Sequence, residues 1–237
     1  MISLFDAAQQ FDLTLTSQQL DAFDRYYHLL IEWNTRINLT AITEYDQVIV
    51  KHFLDSISIA PLLRPFATRG RLVDIGTGAG LPGIPLKIVL PDWHVTLLEA
   101  TGKKVDFLNH VIAQLDLVDT FAIHIRAEDA GQQPAYREQF DVAVARAVAQ
   151  MATLVEYALP LVRVGGWFIA QKGVDIDDEL QHAARALDKL GGRVRQIVPV
   201  QLPGLDIRHL IVVEKIAHTP IKYPRRAGLP ERKPLTK

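Results

Sequence analysis

The stretch "VDIGTGAGLPGIPL", residues 73–86, decides the fold. An apolar segment runs into Asp74, and the loop after it contains four glycines, Gly76, Gly78, Gly80 and Gly83. A glycine-rich turn between a buried strand and a helix lets a ligand approach the backbone closely, and the N-terminus of the following helix attracts anions. The pattern therefore predicts a ligand-binding loop at the carboxyl end of a strand.

Strand and helix patterns alternate on both sides of this loop. Seven segments are typical of strands: RLVDI (71–75), HVTLLEA (94–100), FAIHIRA (121–127), FDVAVAR (140–146), GWFIAQK (166–172), RVRQIVPVQL (193–202) and RHLIVVEKI (208–216). Four segments between them are typical of helices: residues 81–89, 103–117, 151–162 and 176–190. This alternation predicts an α/β fold with a mostly parallel, doubly wound, Rossmann-like sheet.

The last two predicted strands differ from the others. The link between them, "PGLDI", is too short for a parallel crossover, which needs about a dozen residues. We therefore predict an antiparallel hairpin at the end of a seven-stranded sheet.

The N-terminal third has a helical pattern. "TSQQLDAFDRYYHLLIEWN" places its apolar residues on one face and offers Thr16 or Ser17 as the N-cap. A second helix is predicted over Gln47 to Leu63, and the polar segment "NTRINLTAITEYD" between the two is predicted to be a loop.

Composition excludes several classes of protein. The 237 residues are 49% hydrophobic and 22% charged and contain no cysteine, so disulfides, thiolate metal sites and cysteine nucleophiles are absent. We expect a cytoplasmic protein with no membrane association, because the sequence has neither a signal-peptide pattern nor a long apolar run. The net charge is −1, yet residues 217–237 hold six basic residues against one acidic residue.

The glycine loop is a poor match to a dinucleotide fingerprint, because Leu81 stands where the third glycine belongs. Glu99 follows Gly76 by 23 residues, at the end of the second strand, where a carboxylate can accept both hydroxyls of a ribose. The terminal hairpin favours a sheet that binds S-adenosyl-L-methionine over an all-parallel dehydrogenase sheet. Asp74 agrees with this choice, because it would repel a pyrophosphate but suits a cofactor with an ammonium group and a sulfonium.

These residues resemble a known family, the bacterial small-subunit ribosomal RNA guanine-N7 methyltransferases, once called glucose-inhibited division protein B. The resemblance runs nearly end to end through the glycine loop and the following segments: EWNTRINLTAI, HFLDS, LLEATGKKVDFL, RAED, VARAVA, QKG, RHLIVVEK and YPRRAGLPERKPL. The helix and strand patterns and the charge distribution divide the chain into an N-terminal helical subdomain (1–70), a methyltransferase domain (71–216) and a basic C-terminal tail (217–237).

The resemblance implies methyl transfer from S-adenosyl-L-methionine to N7 of a guanine in the 530-loop region of 16S ribosomal RNA. The product would be S-adenosyl-L-homocysteine, and the acceptor would be the RNA itself, an assembly intermediate or the small ribosomal subunit. We predict these cofactor-binding residues: Asp74, Gly76, Thr77, Gly78, Leu81, Glu99, Ala127, Glu128 and Arg146. Among them, Ala127 and Glu128 would lie at the adenine. Many relatives have Asp where this chain has Glu99, a departure that affects the geometry at the ribose.

The residues that the chain lacks also limit which atom of a base it can methylate. Methylation at C5 of cytosine needs a cysteine, and methylation of an exocyclic amine typically needs an Asn/Asp-Pro-Pro-aromatic motif, and the chain has neither. Guanine N7 carries a lone pair and no proton, so we expect neither a general base nor a metal. Arg146 is the predicted positioning residue, since arginine can bond guanine or phosphate bidentately. Its structural alternative is a salt bridge to Asp141 or Glu128.

Two further sets of residues are ambiguous. His52, Asp55 and Ser56 share one helix face and either border the acceptor pocket or form a structural polar cluster. Trp33, with Asn34 and Asn38, either anchors the N-terminal helices or also faces RNA. The tail composition is typical of a solvated, extended chain. Because its pattern also resembles the family, we expect the tail to contact RNA or dock beside the active site. The predicted RNA-binding residues are Lys222, Arg225, Arg226, Arg232 and Lys233.

Three other functions remain open at this point. A methyltransferase acting on a small molecule or a protein would leave the basic tail unused. A non-catalytic nucleotide-binding module would bind adenosine compounds without turnover, and a dehydrogenase would be stabilised by NAD. We expect a monomer.

Overall fold

The computed structural model describes residues 3–66 and 68–236. Its sheet has seven strands: β1 (Arg71–Ile75), β2 (His94–Glu99), β3 (Thr120–His124), β4 (Phe140–Arg146), β5 (Val162–Lys172), β6 (Gly192–Val200) and β7 (Arg208–Lys215). The order across the sheet is β3-β2-β1-β4-β5-β7-β6. β1 to β5 pair in parallel, whereas β7 pairs antiparallel with both β5 and β6. The predicted hairpin and the predicted α/β class are confirmed.

Ten α-helices are assigned within the described residues: α1 (Leu4–Ala8), α2 (Ser17–Asn34), α3 (Tyr45–Val48), α4 (Asp55–Ile57), α5 (Gly83–Val89), α6 (Gly102–Gln114), α7 (Ala127–Gln132), α8 (Met151–Ala158), α9 (Asp177–Leu190) and α10 (Leu229–Arg232). The sequence does not predict the short helices α1, α7 and α10, because four to six residues are too few for a helical period to show. None of the described helices is long and apolar enough to cross a membrane.

Alternation along the strands separates two apolar cores, one on each face of the sheet. Leu72, Val142 and Ile169 face the N-terminal helices together with α5 and α6. The neighbouring residues of the same strands, such as Val73 and Phe168, face α8 and α9 on the other side. Successive strand residues point to opposite faces, so β1, β4 and β5 are buried on both sides and read as continuous apolar runs.

The long N-terminal helix α2 begins as predicted. Thr16 is its N-cap and accepts a hydrogen bond from the backbone N–H of Gln19, whose side chain accepts one from the backbone N–H of Thr16. Phe23 and Tyr26 on its inner face lie against Phe53, with ring centroids 5.1 and 5.3 Å away. This helix thereby covers the sheet beside the glycine loop.

The prediction of one continuous helix from Gln47 to Leu63 is wrong. After α3 the chain forms a π-helix over Ile49–Leu54, continues as α4, turns, and ends in a 3₁₀ helix over Ala60–Leu63. Nearly every side chain in this segment is buried, so no single face of a regular helix could accommodate them. The wider π turn changes the helical register, and it places His52 and Asp55 at the edge of the sheet.

Candidate active site

The glycine loop begins where β1 ends and is shaped by backbone geometry. Gly80 has φ +91°, a conformation that L side chains rarely adopt, and a Cβ there would lie 2.4 Å from Cδ1 of Ile84. The loop is tied to β2 by the N–H of Thr77, which donates to the carbonyl of Leu98 at 3.1 Å. The loop backbone therefore lies in one fixed conformation at the carboxyl edge of the sheet.

Asp74 organises this loop from below. Its Oδ2 accepts hydrogen bonds from the hydroxyl of Thr77 at 2.5 Å and from the N–H of Gly83 at 2.8 Å. Its Oδ1 is buried and has no hydrogen-bond partner in residues 3–66 and 68–236. Burial raises the pKa of Asp74 to about 6. A buried acceptor without a donor costs free energy, so this oxygen is suited to a cationic ligand group.

Glu99 joins the same loop to the end of β2. Its Oε2 accepts from the N–H of Gly78 at 3.0 Å, and its Oε1 accepts from the N–H of Thr101 at 2.8 Å. Each carboxylate oxygen has a further lone pair, so Glu99 can still accept hydroxyl donors. The side chain is thus held in place before any ligand arrives.

A cavity of about 160 Å³ opens beside the loop, between the ends of β1, β2 and β4 and helix α7. Six of its lining residues are Gly76, Leu98, Ile125, Ala127, Glu128 and Val148. Three of the predicted cofactor residues, Gly76, Ala127 and Glu128, therefore lie together on the wall of this cavity. Leu81 instead is buried in the core under α2, so in this structure it supports the loop from behind.

Arg146 lies at the end of β4, under the π-helix. Its Nη1 donates to the carbonyl of Lys51 at 3.0 Å and to Oδ2 of the buried Asp55 at 3.1 Å. The alternative partners predicted for it are wrong: Asp141 pairs with Arg163, and Glu128 accepts a backbone hydrogen bond from Gly228. The cause is the π-helix, which delivers a carboxylate to Arg146 from outside the sheet.

The polar cluster around Asp55 includes residues that the sequence did not single out. Arg208, at the start of β7, has its Nε 3.7 Å from Oδ1 of Asp55. Gln171, which lies opposite Arg146 in register, donates from Nε2 to the carbonyl of Asp55 at 2.8 Å. Both residues lie at strand ends on the same sheet face as Arg146. A polar residue at such a strand end was the sequence feature that could have identified them as members of this cluster.

His52 and Ser56 hold this cluster together. Nε2 of His52 lies 2.8 Å from the hydroxyl of Thr40, and the hydroxyl of Ser56 donates to the carbonyl of His52 at 2.5 Å. Burial lowers the pKa of His52 to about 4, with a further contribution from the charge of Arg146. His52 is therefore neutral at neutral pH.

Trp33 and Asn34 have structural partners. Trp33 packs on Phe107 with ring centroids 5.6 Å apart. Asn34 accepts from the N–H groups of Leu39 and Thr40 and donates to the carbonyl of Thr40. These contacts fix the loop after α2, while Asn38 is exposed.

The described part of the C-terminal tail, residues 217–236, docks on the protein, unlike the solvated chain of which its composition is typical. Arg137 donates to the carbonyls of Thr219 and Tyr223, each at 2.7 Å. Gln132 in α7 donates to the carbonyl of Pro224 at 2.5 Å. The tail therefore runs along α7, next to the cavity.

One predicted RNA-binding residue, Arg225, is engaged inside the protein. Its Nε and Nη2 donate to the two carboxylate oxygens of Glu156 at 2.8 and 2.6 Å, and its backbone N–H donates to Oε1 at 2.9 Å. Glu156 is fully buried in α8. The exposed basic residues of the tail are Lys222, Arg226, Arg232 and Lys233. Lys237, which belongs to the same basic run, lies outside the described residues.

The parallel sheet with its terminal hairpin and the cleft beside the glycine loop define a class of protein, the class I S-adenosylmethionine-dependent methyltransferase fold. A solved example is the precorrin-6y C5,15-methyltransferase of Geobacter metallireducens GS-15, with a TM-score of 0.51 and 13% identity over 75% of this chain and 91% of that one. Residues 19–211 match the model of the family described as rRNA small subunit methyltransferase G, and the chain belongs to this family.

Relatives with that name are similar over nearly the whole chain. The Ribosomal RNA small subunit methyltransferase G of Roseiflexus castenholzii is 49% identical, with 99% of this chain and 100% of the relative covered. The protein of the same name from Desulforamulus reducens is 48% identical, with 99% and 98% covered.

Proposed function

We propose that this protein methylates N7 of a guanine in the 530-loop region of 16S ribosomal RNA, with S-adenosyl-L-methionine as the methyl donor. The observation that carries the proposal is the cleft at the carboxyl edge of the sheet in a chain of this family. The cavity beside Glu128 is part of this cleft, and the unpartnered Oδ1 of Asp74 is buried beneath the glycine loop that borders it.

The residues fit this cofactor group by group. Oδ1 of Asp74 is an acceptor for the ammonium of the amino-acid part, and its buried position makes a charged partner favourable. Glu99 offers its remaining lone pairs to the ribose hydroxyls. Leu98, Ile125 and Val148 form apolar parts of the cavity wall that match the flat faces of an adenine, beside the polar Glu128.

S-adenosylmethionine supplies a methyl group on a sulfonium, which a lone pair such as that of guanine N7 can attack directly. N7 carries no proton, so the protein has to orient the guanine and has no proton to remove. Arg146 is held by Lys51 and Asp55 through Nη1, so the rest of its guanidinium is the part that can donate to O6 or to a phosphate. His52 stays neutral and adds no charge repelling the cationic product.

Methyl transfer to isolated ribosomal subunits tests the proposal. Labelled S-adenosylmethionine is incubated with the protein and small subunits from cells that lack it, beside subunits from cells that have it. We expect label only in the first sample, at the N7 position of one guanine, located by chain cleavage at the methylated base. Label at another atom, or equal label in both samples, would contradict the proposed acceptor.

The same assay shows which form of the ribosomal RNA is the acceptor. Naked 16S ribosomal RNA, partly assembled particles and complete subunits are compared at equal concentration, with the enzyme proposed to act as a cytoplasmic monomer. Sedimentation of the protein alone checks the monomer, whose mass is 26.5 kDa.

A further inference from the structure

The C-terminal tail contributes directly to the cofactor cavity. Glu231, in α10, is one of the residues that line it. The N–H of Gly228, just before α10, donates to Oε1 of Glu128 at 2.8 Å. One wall of the cavity is therefore formed by a segment that lies about 100 residues away in sequence from α7.

The tail segment is fixed on both sides of Gly228. On one side is the Arg225–Glu156 ion pair, whose carboxylate is fully buried. On the other, the carbonyl of Pro230 accepts from the hydroxyl of Thr153 at 3.3 Å. Both anchors belong to α8, so the position of Gly228 depends on contacts between the tail and this helix.

Glu128 depends on these anchors. It is buried, and its neighbour Tyr157 has a pKa raised to about 12 by burial and by the charge of Glu128, so its hydroxyl is protonated. A buried carboxylate needs hydrogen-bond donors to stay ordered, because burial without them costs free energy. The N–H of Gly228 supplies one of them, and it is available only while the tail is docked.

We propose that Arg225 is a positioning residue for cofactor binding: by pairing with Glu156 it holds the tail so that Gly228 fixes Glu128 at the adenosine end of the cavity. This inference rests on the proposed function. It assigns Arg225 to the cofactor, in place of the RNA contact that its charge alone predicts.

Adjacent arginines provide a matched test. Arg225→Met and Arg226→Met remove the same charge and keep a similar side-chain length, but only Arg225 reaches Glu156. We expect Arg225→Met to raise the dissociation constant of S-adenosylhomocysteine about tenfold, the scale of removing one charged hydrogen bond, and Arg226→Met to leave it unchanged. Calorimetry measures both, at a temperature where circular dichroism shows both variants folded.

Two further readouts separate positioning from general destabilisation. In Arg225→Met without ligand, amide hydrogen exchange at Gly228 should accelerate while exchange in the β-sheet stays unchanged. In methyl transfer, KM for S-adenosylmethionine should rise with kcat preserved at saturation, because a positioning defect weakens binding, whereas partial unfolding lowers kcat.

A second variant tests the proposal if Arg225→Met fails to fold, since that change leaves Glu156 buried without its partner. In Gly131→Ala, the new Cβ would lie 2.8 Å from Cγ of Pro224, which displaces the tail without removing a charge. We expect the same direction of change in affinity.

Equal S-adenosylhomocysteine affinity in wild type, Arg225→Met and Gly131→Ala would overturn the positioning role while leaving the proposed function intact. A wild-type protein that binds the ligand but methylates no ribosomal RNA would instead overturn the proposed function, and the binding comparison between variants would still decide the role of Arg225.

Discussion

The glycine loop and the C-terminal tail border the same cleft but are held in opposite ways. Asp74 binds Thr77 and Gly83, so the loop is organised within ten residues of the chain. The tail is held through Glu156 and Glu128, which precede their tail partners by 69 and 100 residues. The contacts of the glycine loop are between residues of one short sequence motif. The contacts of the tail are between residues that are distant in sequence and meet only in the folded protein.

Removing the charge of Asp74 is expected to have the largest effect. In Asp74→Asn the loop can keep two acceptor contacts, but a neutral amide would face the cofactor ammonium. We expect the affinity for S-adenosylhomocysteine to fall about 100-fold, at the upper end for a buried charged hydrogen bond. Calorimetry measures it, with the exposed Asp92→Asn as the control. Unchanged affinity would mean that Asp74 serves only the loop.

The raised pKa of Asp74 predicts a pH dependence of ligand affinity that tests the same contact. Because the carboxyl has a pKa of about 6 in the free protein, protons compete with the ligand cation as pH falls below that value. Wild-type affinity should therefore fall about tenfold between pH 7 and pH 5, whereas Asp74→Asn should show no such step. A wild-type profile that is flat across this range would contradict an ionised Asp74 in the complex.

A substitution at Arg146 tests the acceptor side of the cleft, which lies away from both the glycine loop and the C-terminal tail. Arg146→Ala should slow methyl transfer about 30-fold through loss of orientation, and change S-adenosylhomocysteine affinity much less. The control is Arg163→Ala, which breaks another arginine–carboxylate pair, with Asp141, outside the cleft. Normal rates and normal cofactor affinity in Arg146→Ala would remove it from the site.

The contrast between loop and tail also explains what could be predicted from sequence. Strand periodicity, glycine spacing and a five-residue link were enough for the sheet, the loop and the hairpin, because each depends on neighbouring residues. The partner of Arg146 was not predictable, because Asp55 is brought to it by a π-helix that the apolar pattern could not distinguish from an α-helix. Basic, proline-containing composition likewise gave no sign that Arg225 meets a buried glutamate.

The exposed basic residues of the tail are expected to give the smallest effect. Lys222, Arg226, Arg232 and Lys233 are exposed and remain candidates for RNA phosphates, whereas Arg225 is paired with Glu156. Of the four, Arg232 also donates from Nε to the carbonyl of Gly228 at 3.1 Å. Replacing Lys222, Arg226 and Lys233 by Gln, with Arg232 kept because it contacts Gly228, should weaken binding of small-subunit RNA several-fold and flatten its salt dependence, since removing one ion pair with a phosphate lowers the slope by about 0.7 to 0.9. Filter binding across a salt series measures this, with S-adenosylhomocysteine affinity expected to stay at the wild-type value. An unchanged salt slope would mean that the whole tail serves the cofactor cavity, and the division between Arg225 and its exposed neighbours would then be wrong.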